Sequence, residues 1–175
     1  MADPTIEDVV IDNFLSEEAS LVPEFPLSVT GIGQKDKIRV DLAGSGHFGD
    51  ARKRKNEEGE MESYVGKDNK KSHRGTDISI TAGSNVNAPF SGTVTKIGKW
   101  YTNPKDTTKY VQIRSDSGKH TLRFAYVSPD KELKEGDKVK KGMSFGIMKR
   151  PEIWEDNISD HIHIEAVEGK EWGGK

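Results

Sequence analysis

Residues 161–167 read HIHIEAV, and this stretch alternates polar and apolar side chains. A period of two is typical of a β-strand, because every second side chain of a strand lies on the same face. The period recurs in TVTKI (93–97) and YVQIR (110–114), and further strand-like runs are DISI (77–80), VNAPF (86–90), HTLRFAYV (120–127) and SFGIM (144–148). Many short strands at close spacing are typical of sandwiches and barrels. We therefore predict an all-β fold with two sheets.

Two segments nearer the N-terminus have different patterns. Residues 36–42 read DKIRVDL and alternate in the same way, which predicts another half-buried strand. The charged segment that follows residue 52, up to about residue 72, has no clear period and predicts a long surface loop.

The composition favours one domain with an appendage over two full domains, since the chain has 175 residues. Cysteine is absent, so no disulfide staples the fold and no thiolate binds metal or acts as a nucleophile. No apolar run approaches the about 20 residues that a transmembrane helix needs. The first residues, MADPTIEDVV, lack the basic start and apolar stretch of a secretory signal.

Charge divides the chain unevenly. Residues 1–34 contain seven acids and neither Lys nor Arg, which leaves 22 acids and 27 bases beyond residue 34. We predict an acidic lead segment or linker over residues 1–34, one domain over 35–170 and a tail over 171–175. The lead segment has two alternative interpretations, a docking peptide for a protein partner and a plug over a site. A mildly cationic domain suits an anionic partner such as a bacterial cell wall, although an ordinary solvated surface has the same charge. No basic stripe is interleaved with aromatic residues, so nucleic acid is not predicted as a partner.

Two segments carry residue types that bind metals. His161 and His163 lie two residues apart in the alternating run, so both imidazoles project from one face. His73 and Asp77 flank Arg-Gly-Thr, where a turn can bring a ring nitrogen and a carboxylate together. A catalytic zinc site needs three protein ligands and one open position, and these two segments would supply three. Each pair taken alone is also common in proteins that bind no metal.

The order of motifs along residues 44–167 resembles that of the lysostaphin-type zinc metallopeptidases, which are peptidoglycan endopeptidases. The matching motifs are F-G-x-x-R (Phe48, Gly49 and Arg52), HRGTDI (73–78), GSNVNAPFSGTV (83–94), LKEGDKVKKG (133–142) and SDHIHIE (159–165). Within this family, residues 73–94 resemble the vertebrate leukocyte cell-derived chemotaxins. The resemblance implies the lysostaphin-type fold, which is a duplicated hybrid motif.

The resemblance also implies roles for the motif residues. His73, Asp77 and His163 match the three ligands of Zn²⁺, and His161 matches the histidine that acts as general base or donates to the tetrahedral intermediate. The implied function is hydrolysis of stem or cross-bridge peptides of peptidoglycan, with an antibacterial effect. We expect a monomer that acts in the periplasm or on the cell wall after phage delivery, specialised secretion or lysis.

One position departs from the family's Y-x-H-L pattern. The matching stretch is Phe124-Ala125-Tyr126-Val127, so Tyr126 stands where active members have a second catalytic histidine. A tyrosine hydroxyl can donate to an oxyanion, but with a pKa of about 10 it is a poor proton shuttle at neutral pH. The chemotaxins also have a tyrosine here and are regarded as zinc-binding modules without peptidase activity. The alternative function is therefore an inactive zinc module that binds a glycan, peptide or receptor. If the protein is an enzyme, we predict that His161 and Tyr126 are its catalytic pair.

Other candidates fall in predicted loops around these motifs. His47 is either a neighbour of the site or a solvated loop histidine. Trp100, Tyr101 and Trp154 are candidate walls for a peptide or glycan groove, and the alternative is that they cap an edge of the core. The motif LKEGDKVKKG also occurs in lipoyl- and biotinyl-type carrier domains, but a carrier has no use for the two histidine motifs.

Overall fold

The structure is a computed structural model that describes residues 29–31, 36–50, 52–55, 58, 60–64 and 73–167. These residues form β-strands and no helix, which confirms the predicted all-β class. The strands are β1 (Val40–Asp41), β2 (Gly44–Ser45), β3 (Arg52–Lys55), β4 (Met61–Tyr64), β5 (Thr76–Ser79), β6 (Asn85–Asn87), β7 (Gly92–Lys99), β8 (Lys109–Ser115), β9 (Thr121–Pro129), β10 (Lys138–Val139), β11 (Ser144–Met148) and β12 (His161–Ala166). The described part of the chain accordingly contains no helix that is long and apolar enough to cross a membrane. Most of the predicted lead segment, up to residue 28, and the predicted tail lie outside the described residues.

Eight of these strands form one antiparallel sheet that divides in two at β9. One branch follows the order β10-β7-β8-β9-β11-β6, and the other consists of β12 and β5. β11 pairs with residues 127–129 of β9, whereas β12 pairs with residues 122–125 of the same strand. The two predicted sheets therefore meet in β9, and the other described strands form the hairpins β1–β2 and β3–β4.

The hydrophobic core fixes the register of β12. Ile162 and Ile164 are buried in the core cluster together with Phe124 of β9. Each such side chain contributes roughly 1.5–3 kcal/mol when it is fully buried. A slip of one residue would exchange these isoleucines for His161 and His163, so the pleat holds both imidazoles on the opposite face.

The core also includes a residue from the predicted lead segment. Val29 is 1 % exposed and belongs to the core cluster. Its backbone N–H donates to Asp36 Oδ2 at 2.8 Å, and its carbonyl oxygen accepts from the backbone N–H of Asn87 at 2.9 Å. The chain around Val29 is thus attached to β6.

Residues 36–42 differ from the prediction in the direction of their side chains. Only β1 is a strand here, and Ile38 forms an isolated bridge with Ile78. Val40 and Leu42 are 73 % and 66 % exposed, whereas Arg39 is 1 % exposed. The reason is electrostatic, because the guanidinium of Arg39 contacts the buried carboxylate of Asp77. The predicted half-buried apolar strand is wrong in this respect.

The predicted surface loop after residue 52 contains a hairpin. β3 and β4 pair antiparallel, with Arg52 opposite Tyr64 and Lys55 opposite Met61. Ladder hydrogen bonds join backbone groups of any residue type, so a segment without apolar period can still pair.

Candidate metal centre

Three adjacent strands bring the predicted site residues together. Asp77 on β5 is the direct cross-strand partner of His163 on β12, and His163 lies opposite Ala125 on β9. Opposed residues of antiparallel strands hold their Cβ atoms about 4.5–5.5 Å apart. The register therefore places the Asp77 carboxylate beside the imidazole of His163, with Tyr126 one residue further along β9.

His73 lies in the segment that leads into β5. Its backbone N–H donates to the Asp50 carbonyl at 2.9 Å, and its own carbonyl accepts from the Gly49 N–H at 2.8 Å. Gly75 then allows close passage of the chain past β12. A Cβ atom at residue 75 would lie 2.2 Å from the carbonyl oxygen of Ile164 and 2.7 Å from Cε1 of His163. The absence of a side chain at Gly75 therefore lets His73 and His163 approach each other.

The side chains of His73, Asp77 and His163 converge on one point. Asp77 Oδ1 lies 3.0 Å from His73 Nε2 and 2.9 Å from His163 Nδ1. These two nitrogens are themselves 2.9 Å apart. All three residues are buried. Among the residues that the structure describes, they form the group whose side chains are placed to hold a metal ion.

The second ring nitrogen of each histidine identifies its tautomer. His73 Nδ1 is 2.9 Å from the carbonyl oxygen of His47, and because a carbonyl can only accept, Nδ1 carries the proton. His163 Nε2 donates to Glu165 Oε2 at 3.4 Å. The lone pairs of His73 Nε2 and His163 Nδ1 then both point towards Asp77 Oδ1. Such an arrangement is favourable only when a cation or a proton lies between these atoms.

Burial and hydrogen bonding oppose each other at this cluster. Burial acts to raise the pKa of Asp77, but when the imidazoles also carry a proton on the side of Asp77, the hydrogen bonds from His163 and His73 and the charge of His161 hold that pKa well below its usual range. Burial acts to lower the pKa of His163, but its hydrogen bonds to Asp77 and Glu165 raise that pKa above the ordinary value. A proton on His163 and a metal ion therefore compete for the same position.

The donor set and its spacing fit zinc. Tetrahedral zinc binds nitrogen and oxygen ligands at about 2.0–2.1 Å, which places the ligand atoms about 3.3 Å from one another. The three separations in the cluster are 2.9–3.0 Å, so they need to widen by only a few tenths of an ångström. Each imidazole also has the outer hydrogen-bond partner that metal-binding histidines usually have: the His47 carbonyl for His73 and the Glu165 carboxylate for His163.

His161 lies beside this cluster and is oriented by the backbone. Its Nδ1 is 2.7 Å from the carbonyl oxygen of Ser159, to which it donates. Nε2 therefore carries the lone pair and lies 3.5 Å from Asp77 Oδ2, the carboxylate oxygen that faces away from the other two histidines. The structure places His161 next to the three converging groups and outside them.

Aromatic rings surround the two histidines of β12. Trp154 stacks on His161 with the ring centroids 4.4 Å apart, and Tyr126 meets the same imidazole edge-on at 5.3 Å. Trp100 lies 5.4 Å from His163. Trp154 also packs against the core, as the alternative for the loop aromatics expects, and its role as a groove wall stays a prediction.

Tyr126 has a backbone conformation that residues with a side chain rarely adopt. Its φ is +65°, and among the described residues it is the one non-glycine with a positive φ. It is the extra residue of a β-bulge, since Tyr110 pairs with Ala125 and Lys109 pairs with Val127. Such a conformation costs of order 1–3 kcal/mol, and bulges re-aim side chains near functional sites.

A chain of hydrogen bonds holds the Tyr126 side chain. Trp154 Nε1 donates to the Tyr101 hydroxyl at 3.3 Å, and the Tyr101 hydroxyl donates to that of Tyr126 at 3.2 Å. Successive hydrogen bonds polarise one another, so this chain strengthens the Tyr126 hydroxyl as a donor.

Sequence reasoning missed two charged residues of the site, Arg39 and Glu165. Glu165 lies on the same face of β12 as His161 and His163, and the alternation of the strand could have indicated it. Arg39 had no such signal, because it stands among apolar residues whose period suggested an exposed position. His47 contributes its backbone carbonyl, a role that no side-chain pattern can indicate.

Comparison with known proteins matches a family to more than half of the chain. The model of peptidase family M23 matches residues 71–172. Leukocyte cell-derived chemotaxin-2 of Bos taurus is 31 % identical over 102 residues, which are 58 % of this chain and 64 % of the bovine protein.

Two lysostaphin structures are among the solved structures that this chain matches. The solution structure of lysostaphin has a TM-score of 0.50 at 19 % identity, over 81 % of this chain and 46 % of lysostaphin. The catalytic domain of the antimicrobial peptidase lysostaphin from Staphylococcus simulans has a TM-score of 0.43 at 24 % identity, over 53 % of this chain and 65 % of that domain. The chain thus spans less than two thirds of each of these relatives.

Proposed function

Because the chain belongs to peptidase family M23, we propose that it is a zinc-dependent endopeptidase that hydrolyses stem or cross-bridge peptides of peptidoglycan. The observation that carries the proposal is the convergence of His73, Asp77 and His163, with His161 oriented beside them. The proposal includes action in the periplasm or on the cell wall, by a domain whose core includes Val29.

The three converging residues would hold the metal through His73 Nε2, Asp77 Oδ1 and His163 Nδ1. Zinc with three protein ligands supplies Lewis-acid chemistry and lowers the pKa of a water molecule to about 7. Two histidines and a carboxylate hold the catalytic zinc of several peptidases, in which an open position admits water and substrate.

His161 would move the proton in this reaction. Its Nδ1–H is fixed on the Ser159 carbonyl, so Nε2 is the atom that accepts a proton from the attacking water. As the water oxygen bonds to the peptide carbon and the carbon–nitrogen bond breaks, the same Nε2 returns the proton to the leaving amine. The Tyr126 hydroxyl would donate to the oxyanion that develops on the peptide carbonyl.

The surroundings of the site suit a peptide attached to an anionic polymer. The aromatic rings of Trp100, Tyr101 and Trp154 present apolar faces and polar edges beside the histidines. Beyond residue 34 the chain has 27 bases and 22 acids, which favours an anionic cell-wall partner.

Tyr126 favours a second candidate, a zinc module that binds a glycan, peptide or receptor without turnover. It stands where the family's second catalytic histidine would be, and loss of one acid–base group costs about 100- to 10,000-fold in rate. The similarity to leukocyte cell-derived chemotaxin-2 points in the same direction.

Incubation of isolated peptidoglycan with the purified protein distinguishes the endopeptidase from the binding module. Samples are zinc-loaded wild type, wild type with chelator and zinc-loaded His161→Ala, and the released peptides are identified by mass spectrometry. The enzyme should release peptides catalytically in the first sample alone. Zinc-loaded wild type that binds the polymer and releases nothing would establish the binding module.

A further inference from the structure

A buried ionic contact connects the β1–β2 hairpin to the candidate metal centre. Arg39 Nε and Nη2 lie 3.2 and 3.1 Å from Asp77 Oδ2. Both side chains are almost completely buried, at 1 % and 0 % exposure. The two oxygens of Asp77 therefore have different partners: Oδ1 faces His73 and His163, whereas Oδ2 faces Arg39 and, at 3.5 Å, His161 Nε2.

The same contact continues to His161. Arg39 Nη1 donates to Asp41 Oδ1, and Asp41 Oδ2 accepts from the backbone N–H of Ser159 at 2.8 Å. The carbonyl of Ser159 accepts from His161 Nδ1 at 2.7 Å. One chain of contacts thus runs from Asp77 through Arg39, Asp41 and Ser159 to His161.

We propose that Arg39 and Asp41 are positioning residues that set the geometry of both halves of the site. Arg39 holds Asp77 Oδ2 away from the metal position, so that Asp77 offers the single oxygen Oδ1. Asp41 fixes the Ser159 backbone, which selects the His161 tautomer that has Nε2 towards the site. The part that concerns Arg39 rests on the proposed metal binding, whereas the part that concerns Asp41 does not.

The charge balance of the site supports this role. A buried carboxylate needs a cationic or hydrogen-bonded partner for each oxygen, since an unpaired buried charge is costly. Without the guanidinium, Oδ2 would keep only the longer contact of 3.5 Å with His161 Nε2 among these partners, so it could turn to the metal and Asp77 would bind through both oxygens. A planar guanidinium can meet two carboxylates at fixed angles, which a lysine ammonium cannot do.

The test for Arg39 uses metal affinity and a spectrum. Zinc affinity is measured by competition with a chromogenic chelator, and cobalt(II) replaces zinc for visible absorption spectroscopy. Arg39→Met should bind zinc about 10- to 100-fold more weakly, as loss of an outer partner of a ligand usually does. Its cobalt spectrum should weaken, because a second Asp77 oxygen raises the coordination number from four to five. Arg39→Lys should recover part of the affinity.

The test for Asp41 uses the His161 ring and needs no metal. In wild type, nitrogen-15 NMR of the histidine side chains should show His161 protonated at Nδ1. Asp41→Ala should give a mixture of both tautomers. Asp36→Asn is the matched control, because Asp36 lies on the same segment as Asp41 and its buried carboxylate accepts from the Val29 N–H. This variant should change stability, and it should leave the zinc affinity and the His161 tautomer as in wild type.

The outcomes separate this inference from the proposed function. Wild type that binds neither zinc nor cobalt would overturn the proposed function and the role of Arg39. Arg39→Met with wild-type zinc affinity and cobalt spectrum would overturn the role of Arg39 while the proposed function stands. If Arg39→Met does not fold, Arg39→Lys with an unchanged cobalt spectrum has the same meaning. An unchanged His161 tautomer in Asp41→Ala would overturn the role of Asp41.

Discussion

At the scale of single residues, the two histidines of β12 differ in the partner of their outer ring nitrogen. His163 donates from Nε2 to Glu165 and turns Nδ1 towards Asp77, whereas His161 donates from Nδ1 to the Ser159 carbonyl and turns Nε2 inward. The strand alternation places both rings on one face, but only these hydrogen bonds distinguish a candidate ligand from a candidate base.

His163→Ala and His161→Ala should therefore have different effects. His163→Ala should abolish tight zinc binding, as should His73→Ala or Asp77→Ala, because each removes one of three ligands. His161→Ala should keep one zinc per chain and lower hydrolysis by about 100- to 10,000-fold. Metal analysis after dialysis and turnover on peptidoglycan measure the two effects. Equal zinc loss in both histidine variants would reverse the assignment within the pair.

Tyr126→Phe removes a hydroxyl that we expect to act on the transition state. In the enzyme it should lower kcat by about 100- to 1,000-fold with little change in KM, as removal of an oxyanion donor does. Loss of the hydrogen bond from Tyr101 should cost about 1 kcal/mol of stability. Kinetics on a defined peptide and chemical denaturation measure these effects. Tyr126→His is the matched variant, since histidine tolerates a positive φ better than most residues. Unchanged kcat in Tyr126→Phe would exclude this hydroxyl from the reaction.

At the scale of strands and loops, alternation predicted the strands that carry the site. The runs in DISI, HTLRFAYV and HIHIEAV correspond to β5, β9 and β12, because each buries apolar side chains on one face. Alternation failed at residues 36–42, where the buried Asp77 carboxylate attracts Arg39 inward and leaves Val40 exposed. A contact between residues 38 positions apart determines that reversal, so no local pattern could show it.

The motif residues of the candidate site could be selected from the sequence, but their outer hydrogen-bond partners could not. His73, Asp77, His161 and His163 stand in recognisable patterns, and the structure brings all four together. The carbonyls of His47 and Ser159 orient these rings through backbone atoms, which every residue type has. Their positions depend on the path of loops that carry no periodic signal.

Gly75→Ala should disturb the approach of His73 to His163. The added Cβ would lie 2.7 Å from His163 Cε1, so either the ring or the segment before β5 must move. Zinc affinity should fall at least about tenfold, and chelator competition measures it. Gly136→Ala is the control, because it has a φ of +95° and no atom within 4 Å of the added Cβ. Gly136→Ala should lose stability and keep wild-type zinc affinity. Wild-type zinc affinity in Gly75→Ala would show that His73 and His163 do not need a glycine at residue 75.

The loop that carries Trp154 is held by contacts of the Glu152 carboxylate, and their contribution to stability should depend on pH. Glu152 contacts Lys149 Nζ at 2.9 Å and the Thr107 hydroxyl at 2.9 Å, and the Lys149 contact is the main cause that lowers the pKa of Glu152 from 4.5 to about 2. A lowered folded-state pKa means that the ionised form stabilises the fold. This contribution is complete above about pH 4.5 and disappears as the pH falls to about 2.

Glu152→Gln should therefore lower Tm at neutral pH by a small amount, and the difference from wild type should vanish near pH 2. Calorimetry across this range measures both Tm values. Glu155→Gln in the same loop controls for the loss of one negative charge. A Tm difference for Glu152→Gln that stays constant from neutral pH to pH 2 would show that the carboxylate does not tether the loop.

At the scale of the whole molecule, the acidic residues and the core anchor of the N-terminal region occupy different positions. All seven acids of residues 1–34 lie at or before Glu24, whereas among the described residues 29–31 the buried one is Val29. Removal of residues 1–26 changes the net charge from −2 to +5 and leaves Val29 in place. Removal of residues 1–34 takes both.

The shorter truncation tests the charge. Without residues 1–26, binding to anionic cell-wall polymer should increase, more so at low salt where screening is weak. Cosedimentation at two salt concentrations measures the binding. The same binding before and after truncation would leave the acidic segment a linker or an address for another partner.

The longer truncation tests where the folded domain begins, which the sequence placed near residue 35. Loss of Val29 exposes core surface at a cost of roughly 1.5–3 kcal/mol. It also leaves the buried N–H of Asn87 without the carbonyl that accepts it at 2.9 Å, at a further cost of about 1–3 kcal/mol. The protein that lacks residues 1–34 should therefore unfold at clearly lower denaturant than the protein that lacks residues 1–26. The point variant Val29→Ala in the full chain should show part of this loss, since it removes the side chain and keeps the carbonyl. Equal stability of the two truncated proteins would place the start of the domain after residue 34, where the sequence alone puts it.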